Sequence, residues 1–163
     1  MRMPMVCFLG AVVIWGSTLI RLDKLPKVGD EFKVRADSVG LCMVRPGQID
    51  SCSMVEVNGV QYAVAYRKKS RSKGPVVTYL HTTDPKFVSP DGKRVGDSIE
   101  IDYPKVVPAP GFEIYAGDPV GQWTAVVGFS GEVTLSSGDS VPIATLASET
   151  RPLHLRVIGF TAR

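Results

Sequence analysis

With 163 residues the chain has the length of one domain of ordinary size, and no shift in composition marks a second one. Its 16 glycines and 12 prolines are spread along the chain, which favours short strands joined by turns over a helical bundle. The formal net charge of +3 is too small to indicate nucleic-acid binding, so we expect no nucleic-acid partner.

The N-terminal part of the sequence is apolar. Residues 3–20 contain no charged side chain and are preceded by Arg2, which predicts one hydrophobic helix standing apart from the rest. We assign residues 1–22 to a signal peptide or membrane anchor and residues 23–163 to a β domain. Retention as an anchor is favoured, because Gly16-Ser17-Thr18 only loosely resembles a cleavage site. The segment makes a membrane one expected partner.

The side of the membrane on which the domain lies is ambiguous from charge alone. Arg21, Lys24 and Lys27 follow the segment and outnumber Arg2 before it, which under the positive-inside rule argues against export of the domain. The cysteines argue for export, and they decide our prediction of a cell-envelope location with an extracytoplasmic domain.

Cys42 and Cys52 flank a turn-like Arg45-Pro46-Gly47-Gln48. A three-residue loop at 46–48 would place Arg45 opposite Ile49 and Cys42 directly opposite Cys52, close enough for a disulfide. Such a bond requires an oxidising compartment. The alternative is a pair of buried free thiols in a cytosolic protein.

Alternating apolar and polar residues predict at least seven short strands. Asn58-Gly59 supplies the two positive-φ positions of a type I′ turn, and the resulting register pairs Val57 with Val60 and Val55 with Tyr62 on one face, and Glu56 with Gln61 on the other. The fold class we predict is mainly β, a single small antiparallel sandwich or barrel-like domain behind the N-terminal helix. Further strands are predicted at 31–36, 76–80, 112–115, 122–129, 141–147 and 153–160.

Two kinds of residue are candidates for a functional site. His81, Asp84 and Asp91 flank one predicted loop region, 81–97, and are the candidate catalytic residues if the protein is an enzyme. Their spacing matches no metal or calcium motif, so we predict neither a metal nor a cofactor.

A basic run between two predicted strands is the candidate binding segment. It predicts a flexible loop that meets a protein partner or an anionic partner of the envelope, although a solvated loop that protects edge strands is an alternative. Its five cationic residues are Arg67, Lys68, Lys69, Arg71 and Lys73.

The segment 83–97 resembles one in small exported bacterial proteins of uncharacterised function. In those proteins T-D-x-x-F precedes a [ST]-P-[DE]-G turn and then V-G-[DS]. The resemblance implies a bacterial envelope setting and no particular activity. The matching positions are Thr83, Asp84, Phe87, Ser89, Pro90, Asp91, Gly92, Val95, Gly96 and Asp97.

These observations favour a non-enzymatic envelope or secreted binding module, a class that includes inhibitor and immunity-type proteins. Two alternatives remain. One is an envelope enzyme with a site near residues 81–97, and the other is a structural module of a membrane assembly.

Overall fold

The computed structural model describes residues 8–9, 12–13, 18–45, 47–103, 106–108 and 113–163, and strand is their main regular structure. The mainly β class is confirmed. The sheet formed by the described residues is not closed. The strands are β1 (Phe8–Leu9), β2 (Val12–Val13), β3 (Ile20–Arg21), β4 (Gly40–Arg45), β5 (Gln48–Val57), β6 (Val60–Lys68), β7 (Pro75–Thr82), β8 (Ser98–Ile101), β9 (Val106–Pro108), β10 (Glu113–Val120), β11 (Trp123–Phe129), β12 (Glu132–Thr134), β13 (Ser140–Pro142), β14 (Leu153–Arg156) and β15 (Gly159–Ala162).

The predicted N-terminal helix is not supported. Most of residues 3–20 lie outside the described residues, and where the backbone is described β1 and β2 are extended and pair antiparallel. Within the described part of the chain, no helix has the length and apolar character needed to cross a membrane.

The chain divides into two compact units. The first unit comprises residues 1–82 with 162–163, and the second comprises residues 83–161. The predicted boundary between residues 22 and 23 concerns the N-terminal segment and stays a prediction.

The first unit is built on the antiparallel strands β5, β6 and β7. One edge of β5 carries both β4, which is antiparallel to its first half, and β3, which is parallel to its last residues. The segment Gly29–Phe32 hydrogen-bonds to β7 at Pro75 and Val77. The predicted strand at 31–36 is therefore reduced to one bridge between Glu31 and Val76, because residues 36–38 already turn in a 3-10 helix.

The hairpin at Asn58-Gly59 has the predicted register. Val57 pairs with Val60, Val55 with Tyr62 and Glu56 with Gln61, and Asn58 and Gly59 have φ of 50° and 79°. Val55, Val57 and Tyr62 are buried, as expected for the core face.

Cys42 and Cys52 form the predicted disulfide, with their Cα atoms 5.7 Å apart. The predicted register of the hairpin is wrong, however, because Cys42 lies opposite Asp50 and Cys52 lies opposite Gly40. A β-bulge before Arg45 shifts the pairing, and a shift of two residues keeps both thiols on the same face. Both half-cystines are buried in the core of this unit, with Val44, Met54 and Tyr79 among their neighbours.

In the second unit β11 pairs with three strands, β10, β12 and β15. In addition β10 pairs with β9, and β12 pairs with β13. Strands β8 and β14 pair with each other in a separate two-stranded sheet. The predicted strand 141–147 ends at Pro142, where a 3-10 helix begins. The core of this unit consists of Ile114, Ala116, Val127, Val133, Ile143, Leu153 and Leu155.

Candidate functional site

A buried carboxylate near the start of β5 organises the candidate site. The side chain of Asp50 is only 2 % exposed, and burial of a carboxylate is costly unless donors surround it. Arg67 donates from Nε at 3.0 Å and from Nη2 at 2.7 Å, both to Oδ1. Thr78 donates its hydroxyl proton to Oδ2 at 2.7 Å. Asp50 therefore links its own strand to β6 and β7.

The strand registers explain why these three side chains meet. Asp50 and Arg67 are the residues that follow the Ser51–Tyr66 pair outward on β5 and β6. Between β6 and β7 the register shifts next to Tyr66, which leaves Thr78 as the extra residue of a β-bulge. A bulge changes the direction of a side chain, and here it allows the Thr78 hydroxyl to reach Asp50.

Arg67 lines a cleft of about 330 Å³ in the first unit. Its side chain is 46 % exposed, in contrast to the carboxylate that holds it. Three more cationic side chains line the same cleft, namely Arg45 at the end of β4, Lys69 just after β6, and Arg163 after β15. The Arg163 guanidinium carbon lies 6.0 Å from the centroid of the Tyr79 ring, at the distance of a cation–π contact.

A hydrogen-bonded turn places Lys69 beside the cleft. The Lys69 carbonyl accepts from the Ser72 backbone N–H at 3.1 Å and from its hydroxyl at 3.0 Å, and the Lys69 N–H donates to that hydroxyl oxygen at 3.2 Å. The Lys73 N–H donates to a Glu31 carboxylate oxygen at 3.2 Å. Within the basic run, expected to be a flexible loop, Arg67 and Lys68 belong to β6 and residues 69–72 form a hydrogen-bonded turn.

The five predicted binding residues divide into two groups. Arg67 and Lys69 line the cleft. Lys68, Arg71 and Lys73 are exposed and lie outside its lining. Of the cationic residues in this stretch of sequence, the structure therefore places only two at the cleft.

The candidate catalytic residues have local structural contacts. His81 is buried in the first unit, and its Nδ1 lies 3.0 Å from the Tyr79 hydroxyl oxygen. Asp84, in the second unit, accepts from the Lys86 backbone N–H at 2.9 Å. His81 on one side and Asp84 and Asp91 on the other thus belong to different compact units.

Asp91 is held within its own turn. It accepts from the Ser89 hydroxyl and forms an ion pair with Lys93 at 2.9 Å. These hydrogen bonds, that from Ser89 first, hold the pKa of Asp91 below its ordinary value. Such contacts are those of a turn-stabilising carboxylate.

Four residues of the site were not predicted from the sequence: Arg45, Asp50, Thr78 and Arg163. The sequence did indicate the position of Arg45, because the predicted disulfide defines a hairpin and Arg45 lies next to its turn. The other three are brought together by pairing of strands distant in sequence and by a bulge, which no local pattern announces.

Comparison with known proteins gives no relative that assigns a function to this cleft. No protein-family model, curated protein or solved structure matches the chain. In the described ranges, no group of three or more His, Cys, Asp or Glu side chains is arranged to hold a metal ion.

Proposed function

We propose that this protein is a non-enzymatic binding module of the cell envelope, anchored or secreted, and that its cleft in the first unit receives an anionic group of the partner. The observation that supports the proposal is the convergence of Arg45, Arg67, Lys69 and Arg163 on one cleft. The cleft lining contains these four cationic side chains and no acidic one, and the buried Asp50 beside it pairs with Arg67. Clustered charge of one sign in a concave site raises the local concentration of oppositely charged ligands.

The anchoring of Arg67 favours binding over a purely solvated surface. A free arginine side chain loses about 2 kcal/mol of rotamer entropy when a ligand fixes it. Asp50 already fixes the guanidinium from one side, so part of that loss occurs on folding and not on binding.

The envelope setting rests on the disulfide and on the apolar N-terminal sequence. The Cys42–Cys52 bond requires an oxidising compartment to form, and residues 1–22 would supply the route or the anchor. The test is thiol labelling of protein taken from cells without reductant. Unlabelled cysteines at 42 and 52 support the setting, and labelling of both contradicts it.

The proposed cleft can be tested by NMR titration of the ¹⁵N-labelled protein with two small anions, inorganic phosphate and succinate, at constant ionic strength. We expect at least one of them to shift the signals of the cleft residues selectively. Small uniform shifts, or shifts elsewhere, with both anions would contradict the proposal.

Charge reversal distinguishes the cleft from the basic run as a whole. Arg45→Glu combined with Lys69→Glu should weaken anion binding by at least about tenfold, because each change removes a charge-assisted contact of about 1.5–3 kcal/mol. The matched control, Lys68→Glu combined with Arg71→Glu, changes net charge equally outside the cleft and should leave affinity within about twofold once salt screens distant charges. Equal losses in both variants would show that the whole basic run, and not the cleft, binds the anion.

A further inference from the structure

We infer that the anionic group received by the cleft is a phosphate monoester and not a carboxylate; this inference rests on the proposed function. The chemistry is that of a doubly charged group with three terminal oxygens, such as a phosphorylated sugar or glycerol or the headgroup of a phosphomonoester lipid.

The donor set is the first reason. Three of the four cationic side chains of the cleft are arginines, and arginine supplies a planar fork of N–H donors that matches phosphate and carboxylate oxygens. The side chains come from three separate places in the sequence: Arg45 ends β4, Arg67 and Lys69 lie at the end of β6 and just after it, and Arg163 follows β15. A carboxylate has two oxygens for these donors, whereas a phosphate monoester presents three.

The charge balance is the second reason. Four cationic and no acidic side chains line the cleft, and a carboxylate brings a single negative charge to them. A phosphate monoester carries a charge of about −1.5 to −2 at neutral pH and suits such a lining better.

The attachment of Arg67 is the third reason. Its Nε and Nη2 contact Asp50, so the Nη1 nitrogen takes no part in that pair. A guanidinium held on one edge by a buried carboxylate can donate from its other edge to a ligand in the cleft without giving up the first contact. Lysine has a single nitrogen and cannot serve both partners in this planar way.

Isothermal titration calorimetry at constant ionic strength tests the inference with glycerol 3-phosphate and, as a matched dianion, succinate. We expect glycerol 3-phosphate to bind at least about tenfold more tightly, because an added charge-assisted hydrogen bond accounts for that ratio. If succinate binds as well or better, the inference fails while the proposed function stands. If neither binds, the proposed function fails.

The pH dependence gives a second readout. The second pKa of a phosphate monoester is about 6, so glycerol 3-phosphate should bind several-fold more weakly at about pH 5.5 than at pH 7.5. Sulfate stays a dianion throughout this range, and its affinity should not change. An equal loss for both anions would assign the effect to the protein and overturn the role of the phosphate dianion.

Arg67→Lys keeps the charge but removes the planar fork. We expect it to weaken glycerol 3-phosphate binding by about tenfold, and the control Arg71→Lys, outside the cleft, to leave binding unchanged. If Arg67→Lys does not fold, Lys69→Ala serves instead, because Lys69 is exposed. Unchanged binding in the folded variant would overturn the inference.

Vesicle flotation distinguishes the source of the phosphate. Phosphatidylcholine vesicles containing phosphatidic acid present a phosphomonoester, and vesicles of matched surface charge containing phosphatidylglycerol present a diester. Binding to phosphatidic acid vesicles alone supports a lipid headgroup, and binding of glycerol 3-phosphate without either vesicle supports a soluble or polymeric phosphomonoester. Equal binding to both vesicles would indicate diffuse electrostatic attraction and contradict a phosphomonoester site.

Discussion

Asp50 in the first unit and two carboxylates of the second unit are held in different ways. The short hydrogen bonds of Asp50 come from Arg67 and Thr78, 17 and 28 residues away along the chain, and Gln48, two residues away, adds a longer one at 3.5 Å. In the second unit Asp84 and Asp91 accept from donors two residues away. Long-range donors tie strands together and orient a cation beside a cleft, whereas local donors close a turn. A carboxylate in a candidate loop is therefore weak evidence for a site until its partners are known.

The largest effect on stability should come from removing the Cys42–Cys52 disulfide of the first unit. Replacing both cysteines, Cys42→Ala with Cys52→Ala, should lower the free energy of unfolding by about 3 kcal/mol, since the bond closes a loop of about ten residues. Urea denaturation measures the change, and reduced wild-type protein is the control. An unchanged midpoint would mean that the long-range contacts of this unit hold the hairpin without the bond.

Asp50→Ala should have the next largest effect, about 2 kcal/mol, because it leaves the Arg67 guanidinium and the Thr78 hydroxyl without their acceptor. The value is below that of a fully buried pair because Arg67 is half-exposed. Asp50→Asn keeps an acceptor for Thr78 and should lose less. If Asp50→Ala lowered the free energy of unfolding no more than Asp84→Ala does, the contrast between long-range and local donors would be wrong.

Asp84→Ala should lower the free energy of unfolding by about 1 kcal/mol, since the hydrogen bond from the Lys86 N–H that it removes is exposed and closes a local turn. Thermal denaturation monitored by circular dichroism measures it. Asp84→Asn keeps the acceptor and should behave as wild type. A loss well above 2 kcal/mol would assign Asp84 a role beyond its turn.

Asp91 should give the smallest effect, and one that depends on pH. Its folded-state pKa lies below the ordinary 3.8, so the stability it contributes is present above about pH 3.8 and is lost as pH falls through the folded-state pKa. Wild type and Asp91→Asn should differ slightly at neutral pH and converge as pH falls below the folded-state pKa of Asp91. A stability difference between wild type and Asp91→Asn that grows as pH falls would contradict a lowered pKa of Asp91.

Local patterns predicted the features that depend on neighbouring residues. The Asn58-Gly59 hairpin, its register and its buried face followed from alternation and turn chemistry alone. The disulfide also followed from symmetry about Pro46-Gly47, although a bulge made the actual register different by two residues.

Charge density along the sequence indicated two of the residues that line the cleft, while the binding role assigned to them stays a prediction. Arg67 and Lys69 were among the predicted binding residues and do line the cleft. Asp50 and Arg163 were missed because their roles depend on which strands become neighbours, and alternation does not determine that. The predicted helix over 3–20, most of which lies outside the described residues, is not supported, and lack of charge does not by itself distinguish helical from extended backbone.

The central claim is that Arg67, held by Asp50, presents its free edge to an anion in the cleft. A crystal structure of the protein with glycerol 3-phosphate tests it most directly. The account predicts the phosphate within hydrogen-bond distance of Arg67 Nη1 and of at least one of Arg45 and Lys69, with the Asp50–Arg67 contacts retained. A phosphate bound away from the cleft, or one that displaces Arg67 from Asp50, would contradict it.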